Sequence, residues 1–268
     1  MFRTVKYWGV LVLFWLISCK DSLEYSPNVT GDQNTPRNLN AINLDRLRTT
    51  PGDDTVRFIL SGDTQRGSTE ARDFVNLANR IPGLDFVVVA GDISDFGLLQ
   101  EMEWITGIYA GLRVPYLGVI GNHDMAAKGR TIFRQIFGEP DYSFIYQGYK
   151  FVCLNTNSRE VFFDGTVPDQ KWLDQQMRPH AGVRGFVAIS HVTPFSVDFD
   201  KNMEAGYVAA LERSGNCLAS LHAHDHKAGQ YRPYANQIPF IVSGAIVGRE
   251  FTLIEIINGK LHVQEMEY

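Results

Sequence analysis

FVVVAGDISD, residues 86–95, sets the frame for the whole chain. Its five leading residues are apolar without a break and three are valines, so the run is too short for a helix and reads as a strand buried on both faces. Gly91-Asp92 closes it, and Asp95 follows. The same texture recurs in VRFILSGD (56–63) and PYLGVIGNHD (115–124). Between these runs lie segments with helical spacing. STEARDFVNLANRI (68–81) keeps Phe74, Leu77 and Ile81 in step, with Ser68 placed to cap, and FGLLQEMEWITGIYAGL (96–112) follows the second run. Strand and helix alternate about every 30 residues, the rhythm of βαβ units and of parallel sheet.

Further along the pattern mixes. TIFRQIFG (131–138) reads as a helix, and YSFIYQGYKFVCLNTN (142–157) as a hairpin turning at Gln147-Gly148. DQKWLDQQM (169–177) and NMEAGYVAALERSG (202–215) read as helices, GFVAISH (185–191) and CLASLHAH (217–224) as strands. IPFIVSG, EFTLIEIING and KLHVQEMEY close the chain as strands joined by glycine-containing turns. No repeat and no Pro/Ser linker divides residues 56–268, which read as one α/β domain.

Of the 268 residues, 44% are hydrophobic and 21% charged, enough apolar material for a sizeable core. The net charge of −5 argues against nucleic acid as a partner, because phosphate backbones need a basic face. MFRTVKYWGVLVLFWLISC opens with Arg3 and Lys6 and an apolar run half the length a spanning helix needs, the proportions of a signal peptide. Its end, Leu16-Ile17-Ser18-Cys19, resembles the lipobox of bacterial lipoproteins. The expected organisation is a leader over 1–18, a tether and irregular lead-in over 19–55, and the domain over 56–268. The expected location is outside the cytoplasm, lipid-anchored to a bacterial membrane through Cys19. Losing residues 1–18 removes two cations and no acid, which takes −5 to −7. Cys153 and Cys217 lie inside apolar runs and read as buried free thiols.

In open α/β sheets ligands sit beyond the carboxyl ends of strands. Those ends carry Asp63-Thr64-Gln65, Gly91-Asp92 with Asp95, Gly121-Asn122-His123-Asp124, Ser190-His191, and the histidines at 222, 224 and 226. Each piece alone is weak: Gly-Asp marks many turns, Asp95 suits a helix cap, and a lone histidine is commonly a satisfied core residue. Five such ends in succession point to metal.

In this order, SGDTQ, GDISD, GNHD, SH and AHDH resemble the motifs of calcineurin-like metallophosphoesterases across residues 56–226. The resemblance implies a four-layer α/β/β/α sandwich of two mixed sheets with two divalent cations at the strand ends. Asp63, Gln65, Asp92 and His226 would surround the first cation. Asp92 would bridge to the second, completed by Asn122, His191 and His224. His123 would stand beside the substrate together with Asn122, oriented by Asp124. The implied chemistry is hydrolysis of a small phosphoester by a bridging hydroxide in line with the P–O bond. A mixed Asp, Asn, Gln and His set favours Mn²⁺, with Fe or Zn²⁺ as alternatives. Two positions depart from the family: Gln65 replaces a histidine and Ala223 a glycine.

The three alternating histidines allow two frames. Ligation by His222 and His224 would put Leu221 at the crowded glycine position, whereas His224 and His226 put Ala223 there, with a smaller side chain. The second frame is preferred, leaving His222 to packing or support. Among the cations near strand ends (Arg66, Lys128, Arg130, Arg232 and Arg249), Arg66 is a candidate phosphate reader. HAHDH is one residue short of the His-x-His-x-Asp-His motif of metallo-β-lactamase-type hydrolases, which leaves GNHD unexplained. The competing class is a lipoprotein that keeps the fold to bind a ligand without catalysis. For the leader, Cys19→Ala is expected to abolish acylation and release the protein from membranes, measured by lipid labelling and fractionation. Undiminished labelling would refute it.

Overall fold

The computed structural model describes residue 29, residues 31–50, residue 52 and residues 55–268; the leader and Cys19 lie outside the described residues. The chain first runs through α1 (Leu39–Arg48), β1 (Thr55–Ser61), α2 (Ser68–Ala78), β2 (Phe86–Ala90), α3 (Leu99–Tyr109) and β3 (Tyr116–Val119). Next come α4 (Gly129–Ile136), β4 (Tyr142–Tyr146), β5 (Tyr149–Cys153), α5 (Gln170–Gln176) and β6 (Gly185–Ile189). The last part holds α6 (Lys201–Arg213), β7 (Cys217–His222), β8 (Gly229–Tyr231), β9 (Phe240–Val242), β10 (Glu250–Ile257) and β11 (Lys260–Glu267).

Two mixed sheets result. The first has the order β11-β10-β1-β2-β3, with β1, β2 and β3 parallel and the C-terminal hairpin antiparallel to them. The second has the order β4-β5-β6-β7-β9-β8, parallel at its centre and antiparallel at both edges. Side chains alternate across a strand, so each central strand feeds two cores. Phe86, Val88 and Ala90 of β2 face the second sheet, while Val87 and Val89 face α2, α3 and α4. Likewise Val187 and Ile189 of β6 enter the inter-sheet layer, and Phe186 and Ala188 pack against α5 and α6. This produces the four layers expected, and it explains why these strands show no polar alternation.

Aromatic rings lock the two sheets together. Phe58 stacks on Phe86 at 4.9 Å, Phe144 stacks on Phe151 at 4.9 Å, and Phe86 meets Phe151 edge-on at 5.5 Å. Such pairs add about 0.5–1.5 kcal/mol each beyond the area they bury. The hairpin turns where expected, with Gln147 and Gly148 both at positive φ, as a type I′ turn requires.

Three local readings differ from the structure. Part of the lead-in expected to be irregular is α1, which packs Leu39, Leu44 and Leu47 against the cores and is fixed by Asn40, whose side chain exchanges hydrogen bonds with the backbone of Gly118 at 2.9 and 2.8 Å. Ser68 starts α2 but makes no capping hydrogen bond. At α3 the cap is Glu101, which accepts from the N–H groups of Phe96 and Leu98 at 2.9 and 3.4 Å and leaves Asp95 free for another task.

Cys153 on β5 and Cys217 on β7 are separated by β6, so they stand about 10 Å apart before any register offset. A disulfide spans at most about 7 Å between Cα atoms. Both thiols are free, and burial pushes each up to about 12. The thiol form is therefore held through neutral pH. Pulse alkylation read by peptide mass is expected to label both cysteines only on unfolding; rapid native labelling with a plateau near pH 9 would contradict it.

Candidate metal centre

The motif-bearing strand ends converge at one edge of the sandwich, where loops from the two sheets touch. His191, after β6, holds its Nδ1 2.7 Å from the Ala90 carbonyl on β2. The loop after β1 is tied to the loop after β2, since Asp63 N–H donates to Gly91 O and the N–H groups of Thr64 and Gln65 donate to Asp92 O, all at 3.0 Å. Five of the seven expected ligands (Asp63, Gln65, Asp92, His224 and His226) have φ between 42° and 77°. That left-handed turn costs a non-glycine residue about 1–2 kcal/mol, and here it swings each side chain off its strand axis toward a common centre. Crowding is severe. A Cβ on Gly121 would lie 2.2 Å from Asp92 Oδ1, so only glycine lets the loop after β3 pass the carboxylate.

Asp92 is the hub. Its Oδ1 accepts the His123 backbone N–H at 2.9 Å and faces His191 Nε2 at 3.3 Å; its Oδ2 faces the Gln65 amide nitrogen at 3.4 Å. His191 Nε2 and His224 Nδ1 each lie 3.0 Å from Asn122 Oδ1 and 3.3 Å from one another. Both rings have their other nitrogen engaged outward, His191 Nδ1 on the Ala90 carbonyl and His224 Nε2 on Asp198 Oδ2 at 3.0 Å. Those acceptors take the ring protons, so the inward nitrogens present lone pairs. With neutral rings, a carboxylate oxygen, an amide oxygen and two imidazole lone pairs then share one small space, which a proton on His191 Nε2 or a metal cation would fill. Asp92, His191 and His224 offer ligand atoms all within 4.8 Å of one another.

The electrostatics agree. Burial alone would raise the Asp92 carboxyl, but the His191 ring outweighs it and brings it down to about 2. Burial alone would likewise lower His191, yet Asp92 lifts it to about 10. The pocket therefore stabilises positive charge at this point, which a proton or a metal cation supplies. Beside it, Asp63 Oδ1 is buried and accepts no hydrogen bond while facing His226 Nε2 at 3.2 Å. A buried carboxylate oxygen left in that state fits a cation ligand. The donor set thus suits a metal cation at Asp92, His191 and His224, with Asp63 and His226 paired beside it.

Some expected roles change. Asp124 does not touch the His123 ring. It is fully buried and accepts the N–H groups of Ile93, Ser94 and Gly121 and the Ser94 hydroxyl, at 2.8–3.2 Å, which staples the loop after β2 to the loop after β3. Burial, followed by the nearby Asp92 charge, raises its pKa to about 6. His123 is oriented by Asp95, whose backbone carbonyl lies 2.7 Å from His123 Nδ1 and whose carboxylate lies 3.8 Å away. Arg66 is bound at 2.8 Å to that same carboxylate, with its side chain 79% exposed and its guanidinium 5.9 Å from the Phe96 ring centre. Gln65 turns its amide nitrogen toward Asp92, so in this arrangement it supports the Asp92 carboxylate. Arg249 is held by Asp73 at 2.9 Å.

His222 is separate from the centre. Its ring is buried between Ser190 Oγ at 3.0 Å and Ser220 Oγ at 2.9 Å and stacks on Phe240. Burial, with His191 adding to it, lowers its pKa to about 3, so it is a neutral core residue. Alanine is tolerated at 223 because glycine stands opposite: a Cβ on Gly62 would meet the Ala223 methyl at 2.6 Å. Asp198 is the residue that sequence reasoning missed. It lies in an irregular loop after β6, where no spacing marks it.

Comparison with known proteins follows the same lines. The family model for calcineurin-like phosphoesterases matches residues 56–228. Among curated proteins, a Synechococcus sp. protein named a probable cyclic nucleotide phosphodiesterase is 31% identical over 110 residues, 39% of this chain and 40% of that one. A Nostoc sp. 3′,5′-cyclic-nucleotide phosphodiesterase is 25% identical over 149 residues, 52% of this chain and 55% of that one. The matches thus span about half the length of these relatives or less. Among solved structures, a dimetal phosphatase from Danio rerio aligns with a TM-score of 0.64 at 14% identity, covering 79% of this chain and 96% of that one. A purple acid phosphatase from yellow lupin aligns with a TM-score of 0.66 at 11% identity, covering 81% and 53%. With its motif-bearing strands inside the matched region, the chain belongs to the calcineurin-like phosphoesterase family.

Proposed function

We propose that this protein is a dimetal phosphodiesterase acting on small phosphodiesters outside the cytoplasm, held at a membrane by lipid on Cys19. The observation that carries the reading is the convergence of Asp92 Oδ1, Asn122 Oδ1, His191 Nε2 and His224 Nδ1, with neighbouring atoms 3.0–3.3 Å apart. The diester preference draws on the names of the Synechococcus and Nostoc relatives. Asp92, Asn122, His191 and His224 would hold one cation; Asp63, Asp92 and His226 would hold the other, with Gln65 alongside. When bound, such a pair lowers the pKa of water and neutralises charge building on phosphorus.

The chain's own residues do the rest. Asp92 fixes the spacing of the two ligand groups, and its Oδ1 anchors the His123 backbone. His123 donates its Nδ1 proton to the Asp95 carbonyl, which leaves Nε2, on a ring 41% exposed, 3.9 Å from Asp92 Oδ2. From there a protonated Nε2 can donate to the leaving oxygen. Asp95 places negative charge beside that imidazolium, and Arg66, bound to Asp95, stands at the mouth where it can meet a phosphate oxygen.

Mn²⁺-loaded protein is expected to hydrolyse bis-p-nitrophenyl phosphate and 3′,5′-cyclic AMP faster than p-nitrophenyl phosphate. Asp92→Asn should remove nearly all of this activity, and His123→Ala should lower turnover about 10²–10⁴-fold with metal retained. No turnover of any ester with both metals bound would favour the non-catalytic reading. Metal analysis separates the two histidine frames. His226→Ala should lose one equivalent and His222→Ala none, and the reverse would refute the assignment. Gln65→His should tighten Zn²⁺ binding by adding an imidazole to an oxygen-rich set; unchanged affinity would place Gln65 outside the metal's reach.

A further inference from the structure

One metal-facing ring has an acidic partner that no motif includes. Asp198 lies between β6 and α6, with its side chain 19% exposed. Its Oδ2 is 3.0 Å from His224 Nε2, and its Oδ1 accepts from Arg159 Nη1 at 2.9 Å. The main chain is pinned as well: Arg159 N–H donates to Asp198 O at 3.3 Å, and Asp198 N–H donates to Ser196 Oγ at 3.2 Å. We propose that Asp198, clamped by Arg159, is a positioning residue that holds His224 in its Nε2–H tautomer and so keeps Nδ1 open to a divalent cation. The proposal rests on the reading of His224 as a metal ligand.

The two histidines of the cluster show why such a residue is needed. His191 has its tautomer set by a main-chain carbonyl on β2, inside the sheet. His224 sits past the end of β7 at φ 77°, and its backbone N–H donates to Asp63 Oδ2 at 3.1 Å. Those constraints fix its Cα without fixing its ring. Left to itself, a neutral imidazole divides between two tautomers and two ring orientations, and only one combination presents a lone pair toward Asn122 and His191. Asp198 selects that combination, and its charge makes the facing nitrogen a stronger donor. Arg159 occupies the second carboxylate oxygen, which stops Asp198 from rotating away. An exposed Arg–Asp pair stabilises a fold little; here its effect falls on the third member.

The test reads metal affinity and tautomer, apart from turnover. Apo wild type and the Asp198→Asn, Arg159→Met and His224→Ala variants are titrated with Mn²⁺ and Zn²⁺, and their ring nitrogens are followed by ¹⁵N histidine spectra of the apo proteins. Asp198→Asn preserves shape, and unchanged thermal unfolding would confirm that it folds. One of two metal equivalents should weaken about 10–100-fold in Asp198→Asn, and less in Arg159→Met, with the other equivalent unaffected. The His224 signals should change from a single Nε2–H form to a mixture. If His224→Ala loses one equivalent while Asp198→Asn binds both as wild type does, the positioning role is wrong and the metal reading stands. If His224→Ala still binds both, the ligand assignment fails and the proposal fails with it.

Discussion

Lone pairs that converge without a proton between them repel, and this structure spends its loop geometry on bringing such groups together at Asp92. Carboxylate, amide oxygen and two imidazole nitrogens meet at 3.0–3.3 Å, and with neutral rings none has a proton to donate. A fold holds that arrangement only when positive charge offsets it. The opposed shifts of Asp92, downward, and His191, upward, express the same demand from both sides.

The surrounding structure resists that repulsion. Two sheets share an aromatic core, so the strands that end at the site cannot slide past one another. Asp124, itself kept from solvent, ties the loops after β2 and β3 together through three backbone N–H groups. Close approach of main chain to Asp92 depends on glycine at 121. Left-handed backbone at five of the positions expected to ligate is the cost, stored where the side chains are aimed at one centre.

Much of this was legible in the chain. Strands such as FVVVA and GFVAI read clearly because cores on both sides of a sheet leave no polar alternation to confuse the pattern. Acids and histidines at successive strand ends marked the site, since parallel strands deliver their ends to one edge. Roles within the site were less legible. Asp124 neighbours His123 in sequence, yet the short turn over His123–Met125 sends their side chains to different partners, and Asp95 takes the orienting contact. Asp198 had no signature because its contact with His224 closes across 26 residues of loop, helix and strand. Helix α1 escaped notice because Asn40 and Asn43 share its buried face with Leu47, which breaks up the hydrophobic periodicity.

The central claim is that Asp92 lies between two cations. Anomalous diffraction at the manganese edge from crystals soaked in Mn²⁺ tests it directly. The account predicts two peaks flanking the Asp92 carboxylate, one contacting Asn122, His191 and His224, the other Asp63 and His226. A single peak away from Asp92, or none with the inward nitrogens hydrogen-bonded as an imidazolium pair, would contradict it.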